Sequence, residues 1–144
     1  MELKDIFHHE ERKLFPEVAT LQARYIRLRG QFEQFVRFFP PARGAFPDAV
    51  EFVPEPEKPL LTVRFCGKEF RFCFDMVKEQ GQVRCLISSP NEKEEDPAEL
   101  GKFTFNGQGL TNIIPAGSRD ADPLVIHEAP CAFGIVASFL AAAF

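Results

Sequence analysis

Between Val18 and Phe39 the apolar side chains Val18, Leu21, Tyr25, Leu28, Phe32, Phe35 and Phe39 recur in strict 3-4 alternation, the period of one helix face. Pro16 suits the first helical position, where its missing N–H costs nothing, and Pro40-Pro41 ends the run. The pattern predicts a helix of about 24 residues, roughly 36 Å long. Val36 and Phe38 broaden the apolar face at its end, which favours packing across a sheet over a two-helix coiled coil. Leu3, Ile6, Phe7 and Leu14 predict a shorter helix before it, over residues 3–14.

The middle of the chain switches to period 2. Residues 40–59 hold six prolines; 40–48 read as a loop, 49–53 as a strand and 54–59 as a stiff turn. Leu60 to Val77 predicts a hairpin with a type II′ turn at Gly67-Lys68. That turn pairs Phe65 with Phe70, Val63 with Phe72 and Leu61 with Phe74 on an apolar face, and Arg64 with Arg71 and Thr62 with Cys73 on a polar one. Such segregation predicts an antiparallel sheet with one buried side. A turn over Lys78–Gly81 then pairs Val77 with Gln82 and Asp75 with Arg84. An acidic loop follows at 90–96. Asp96-Pro97-Ala98-Glu99 has the form of a capping box before a single helical turn. Lys102–Phe105 and Leu110–Ile114 read as strands around an Asn106-Gly107 turn, and 115–123 as loop.

From Ala129 to Phe144 no side chain is charged. Pro130 starts a helix over 130–143 in which Phe133, Val136, Leu140 and Phe144 mark one face and Ile135 and Phe139 another. A helix apolar on every side is expected to be buried on every side. Together these elements predict an α+β fold in one domain, 1–144: helices over 1–39, a five- to six-stranded antiparallel meander over 49–114, and the apolar C-terminal helix on one sheet face.

Composition narrows the function classes. A chain of 144 residues with 45% hydrophobic and 26% charged residues is in the globular range and supports a core without staples. The net charge of −4 argues against a nucleic-acid partner, which needs basic surface to displace counterions. Charge is uneven: residues 1–44 carry eight Lys/Arg against six Asp/Glu, and 45–144 nine against fifteen. No basic n-region precedes an apolar run, and no stretch is long enough to span a bilayer, so a cytoplasmic location without membrane contact is expected. Cys66, Cys73, Cys85 and Cys131 lack C-x-x-C spacing and are expected to be reduced and mostly buried. Seventeen Phe against one Tyr and no Trp point to core filling.

Few residues offer chemistry. Cys131 falls in the first turn of the C-terminal helix, where the dipole activates a thiol, with His127 four residues earlier as a base; no third group orients them. His8-His9-Glu10-Glu11 supplies too few ligands on one helix face for a metal, and no cofactor is expected. Asn106-Gly107-Gln108-Gly109 has the glycines of an anion-binding turn without a phosphate loop's Lys-Ser/Thr. Arg24 and Arg27 form a weak basic patch on the long helix.

The polar sheet face is more informative. Arg64 opposite Arg71 is a like-charge pair, which calls for an acid such as Glu69 or Glu51 between them, or for an acidic partner. Arg64, Arg71 and Arg84, with Thr62, Leu86 and Ser88 alongside, make the candidate binding surface. The expectation is a non-enzymatic domain that binds another protein, as chaperones, immunity proteins and adaptors do. The alternative is a small-ligand or thiol-dependent domain with a Phe-lined cavity and Cys131/His127 or the arginine pair as its polar groups. A homodimer through the C-terminal helix is compatible with both.

Overall fold

A computed structural model describes residues 11–39, 46–55, 57–89, 97–113 and 122–144. Its elements are helix α1 (Glu11–Arg37), strands β1 (Glu51–Glu55), β2 (Leu60–Phe65), β3 (Lys68–Val77), β4 (Gln80–Ser88) and β5 (Ala98–Phe105), and helix α2 (Ala129–Ala142). The strands form an antiparallel meander in the order β1-β2-β3-β4-β5, so the fold is α+β. Residues 3–10 of the predicted first helix and the predicted loops at 90–96 and 115–121 lie outside the described residues.

The buried face of the sheet carries Leu61, Val63, Phe70, Phe72, Val83, Cys85, Phe103 and Phe105. Rings from both helices meet it at Phe72: Phe35 of α1 at a centroid separation of 6.5 Å and Phe139 of α2 at 5.6 Å. Phe39 joins the two helices through Phe133 at 5.7 Å. Edge-to-face contacts of this kind add about 0.5–1.5 kcal/mol each to the burial of the rings.

Several expectations are corrected. Helix α1 begins five residues before Pro16, which lies inside it; only from Leu28 onward is the apolar stripe buried, and residues 15–23 are all exposed. The stripe is therefore longer than the sheet it packs on. Helix α2 is not buried on every side: Gly134, Ala137, Ser138, Ala141 and Ala142 face outward, and being small they lose little by it. The large residues expected on two faces occupy one broad inward face, with Ile135, Val136 and Leu140 buried and Phe133 and Phe139 packed beside them.

The β2–β3 turn sits one residue earlier than the expected Gly67-Lys68, and the β3–β4 turn closes over two residues rather than the four of Lys78–Gly81. The β2–β3 turn is Cys66-Gly67, with φ of 51° and 76°, and the β3–β4 turn is Lys78-Glu79, with φ of 50° and 68°. Positive φ at both central residues defines type I′, whose twist also suits a hairpin. The pairings shift accordingly: Arg64 faces Glu69 and Thr62 faces Arg71, while Val77 faces Gln80 and Asp75 faces Gln82. The first shift replaces a like-charge pair with an opposite-charge one, a gain of several tenths of a kcal/mol. Gly81 is thereby a strand residue rather than a turn residue. It lies opposite Phe105, and a Cβ at Gly81 would overlap that ring.

Strand β1 runs on through Pro54, which an edge strand tolerates because one side of its backbone has no partner. Of the predicted turn at Asp96–Glu99, Asp96 lies outside the described residues and Ala98 and Glu99 instead begin β5, with Glu99 opposite Leu86; pairing along β4 satisfies more backbone groups than one helical turn. A register shift against Cys85/Leu86 leaves Leu100 as the extra residue of a bulge. Among the described residues no sixth strand follows: Ile114 lies outside them, and residues 110–113 of the predicted strand over 110–114 make isolated bridges, Phe105 to Thr111 and Leu110 to Val125. There Asn112 Oδ1 accepts from the Thr104 N–H at 3.0 Å, so a side chain replaces the next ladder partner.

Gly81→Ala is expected to lower stability by about 2 kcal/mol through overpacking against Phe105, read as a fall in urea midpoint. Phe105→Leu in that background should recover part of the loss.

Candidate functional site

The outward sheet face is built of rows that cross the strands. Glu51, Arg64, Glu69 and Ser88 form one, Val53, Thr62, Arg71, Leu86 and Glu99 the next, and Glu55, Leu60, Cys73, Arg84 and Lys102 a third. All six residues expected on this face are therefore on it. The shift in pairing moved partners by two positions, which preserves side-chain direction. The bulge at Leu100 restores parity on β5, so that Glu99 and Lys102 share the face.

Its charges alternate. Glu69, only 13% exposed, accepts Arg71 Nε on one oxygen at 2.9 Å and lies 3.4 Å from Arg64 Nε through the other. Arg64 Nη1 reaches Glu51 at 3.4 Å. Of the two acids that the sequence offered, Glu69 lies between the arginines, whereas Glu51 meets Arg64 alone from the other side. The like-charge pair that does exist is Arg84 opposite Lys102, and Glu99 approaches Arg84 Nε at 3.7 Å. Arg64, Arg71 and Arg84 are each about half exposed. Pairs in such surroundings contribute 0–1 kcal/mol, so they add little to stability. Thr62 is buried within its row, and Leu86 and Ser88 are half-buried.

Cys131 and His127 are not brought together by hydrogen bonding. Cys131 is half-buried, with its Sγ 3.9 Å from Glu128 Oε2. His127 Nδ1 is buried without a hydrogen-bond partner, as is Gln31 Oε1; both lie over Gly109, whose φ of +84° and missing Cβ make room for them. The Gln31 amide donates to the Gly107 carbonyl at 2.6 Å. The Asn106–Gly109 turn is thus a packing feature: Asn106 Oδ1 accepts from the Gln108 and Leu110 N–H groups, and the glycines admit side chains of this chain. The sequence signal for the niche was the two glycines, read as a turn between strands, which they form with Gly109 N–H donating to the Asn106 carbonyl at 2.9 Å, and not for the close approach they also allow. His8, His9 and Glu10 lie outside the described residues, and among the described residues no cluster of three or more His, Cys, Asp or Glu is placed to hold a metal.

The cysteines differ more than expected. Cys85 is buried, Cys73 and Cys131 are half-buried and Cys66 is exposed at the hairpin tip; all four are free. Burial pushes the Cys85 thiol up from 9.0 to about 12, and the nearby Cys73 adds to the rise. Burial also raises Cys73, against the opposing pull of Arg84 and Arg71.

A cleft of about 460 Å³, which nothing in the sequence marked, opens beside β1 and is lined by Phe39, Phe46, Pro47, Asp48, Val50, Glu51 and Phe52. Phe46 meets Phe52 edge to face at 5.0 Å. The polar groups on its wall are carboxylates, not the cysteine, histidine or arginines expected of a cavity. Among the described residues no helix is long and apolar enough to cross a membrane. The chain matches no known protein family, no curated protein and no solved structure.

Above the unfolded thiol's 9.0 the unfolded chain releases the Cys85 proton while the folded chain retains it, so stability falls as pH rises from about 9 towards 12. Between about pH 8 and pH 10.5 the wild type should lose about 2 kcal/mol more than Cys85→Ala. Urea midpoints at both pH values, with equal losses in the two proteins as the contrary result, check this.

Proposed function

We propose that this protein is a cytoplasmic, non-catalytic binding domain, chaperone-, immunity- or adaptor-like, that docks a protein partner on the outward face of its sheet. One observation carries the reading. Arg64, Arg71 and Arg84 stay half exposed on the side of the sheet opposite Phe70 and Phe72, which are fully buried. Half-buried Val53, Leu60, Cys73 and Leu86 run between the charged residues, giving apolar area within a polar surround, the composition of a recognition patch.

Because Arg64, Arg71 and Arg84 each already have a carboxylate, the partner surface is one of mixed charge rather than a strongly acidic one; alternating charges fix register and orientation across an interface. Cys131 contacts Glu128 and makes no hydrogen bond to His127, which favours binding over thiol chemistry, and four free cysteines suit a reducing compartment. Arg64→Glu with Arg71→Glu should abolish capture of the native partner from host lysate while moving the melting temperature only slightly, since exposed pairs contribute little to stability. Unchanged capture would discard the sheet face.

The cleft beside β1 supports a second reading, a small ligand with an apolar body and a basic group that meets Asp48 and Glu51. Amide shifts at Val50 and Phe52 on titration with n-butylammonium, absent with n-pentanol and lost in Asp48→Asn, are the expected result. Equal shifts with both probes set that reading aside.

A further inference from the structure

The apolar stripe of α1 continues beyond the sheet that covers it. Arg24 Nη1 binds Glu79 Oε1 at 2.9 Å, and Glu79 belongs to the β3–β4 turn, so that contact marks where the sheet ends. N-terminal to it, helix from Glu11 to Ala23 extends for roughly 20 Å. On this stretch Phe15 is 74% exposed, Val18 62% and Leu21 41%; Val18 and Leu21 occupy the positions whose next repeats, Leu28, Phe32 and Phe35, are fully buried.

Helix without tertiary packing is marginal at this length, and this one also contains Pro16, whose ring opposes the carbonyl one turn earlier at a cost of about 3 kcal/mol. The overhang thus has the face of a core element, a backbone defect and no cover among the described residues.

We propose that a second copy of this chain covers it, by antiparallel packing of the two overhangs. The charges beside the stripe select this occupant. Glu17 and Arg24 are seven residues apart, two turns along one side of the helix. About a two-fold axis that sets Val18 against Leu21 of the second copy, Glu17 of each chain meets Arg24 of the other, and both pairs form at once. A parallel, in-register pair sets Glu17 level with Glu17 and Arg24 level with Arg24, and loses both. Antiparallel packing leaves Arg24 between Glu79 of its own chain and Glu17 of the other. The outward side of α2 is a poorer candidate, since Gly134, Ala137, Ser138 and Ala141 have little apolar area to bury. This surface is separate from the sheet face, so its test stands apart from the binding reading above.

Sedimentation velocity of the full chain is the experiment. Dimer is expected at the tens-of-micromolar concentrations at which a small interface assembles. Val18→Glu should give monomer that keeps a cooperative urea transition, with any loss of helical circular dichroism no larger than the Glu11–Ala23 overhang accounts for. Glu17→Arg alone and Arg24→Glu alone should each weaken the dimer about tenfold, because like charges then meet twice. Mixing those two single variants should restore association, as each supplies the charge the other lacks, and so should the double variant. Monomer at every concentration, a dimer indifferent to Val18→Glu, or single variants that fail to complement on mixing would overturn the proposal.

Discussion

The structure depends on a sheet being covered from one side, and Phe72 is where that cover is fixed. Its ring touches Phe35 of the first helix and Phe139 of the last, so residues about a hundred positions apart in sequence share one neighbour. Phenylalanine suits this position because it gives large area and directional ring contacts with no polar atom to satisfy. Once both helices are committed to the same side, no helix or strand among the described residues covers the opposite side. The polar rows of Glu51, Arg64, Glu69, Arg71 and Arg84 occupy that side, and their exposure is the counterpart of the buried rings.

Which face each strand residue occupies was legible because side chains alternate with period 2, and an error of two positions in pairing leaves that alternation untouched. The pairing itself was not legible. Gly67 attracted the turn to Gly67-Lys68, and Gly81 to the end of β3. In fact Cys66, Lys78 and Glu79 adopt positive φ without being glycine, while Gly81 sits in a strand because the Phe105 ring occupies the space of its side chain. Local turn preference is a weak signal beside a run of paired inward residues. The bulge at Leu100 was hidden for a related reason: Asp96-Pro97-Ala98-Glu99 carries a helix-start pattern, and only the backbone of β4 waiting to be paired overrides it.

The candidate site shows the same division. All six proposed residues lie on the outward face, yet the like-charge pair inferred for Arg64 and Arg71 belongs to Arg84 and Lys102, with Glu99 as the offsetting acid. The pairing of Arg64 with Arg71 was read from a turn one residue out of place, and the two-position difference in register puts Glu69 opposite Arg64 instead. The cleft at Phe46, Asp48 and Phe52 had no sequence signature because it lies between Phe39, just past the end of α1, and the segment that leads into β1, and such a volume appears only when both are placed. Cys131 and His127, close in sequence, take different neighbours because one is on the first turn of a helix and the other precedes it.

The Lys78-Glu79 turn ties these levels together. Left-handed backbone costs an ordinary residue about 1–2 kcal/mol, and this turn asks for it twice. The Arg24–Glu79 ion pair, half exposed, returns 1 kcal/mol or less, so it cannot be what holds the turn in place. The remainder comes from the register the turn permits, in which Phe72 faces Cys85 and Phe74 faces Val83 on the buried side, with Phe74 stacked on Phe32 of the helix at 5.6 Å. The ion pair's contribution is positional: it fixes the height at which α1 leaves the sheet, with Leu28 and the rings after it inside and Leu21 and the residues before it outside.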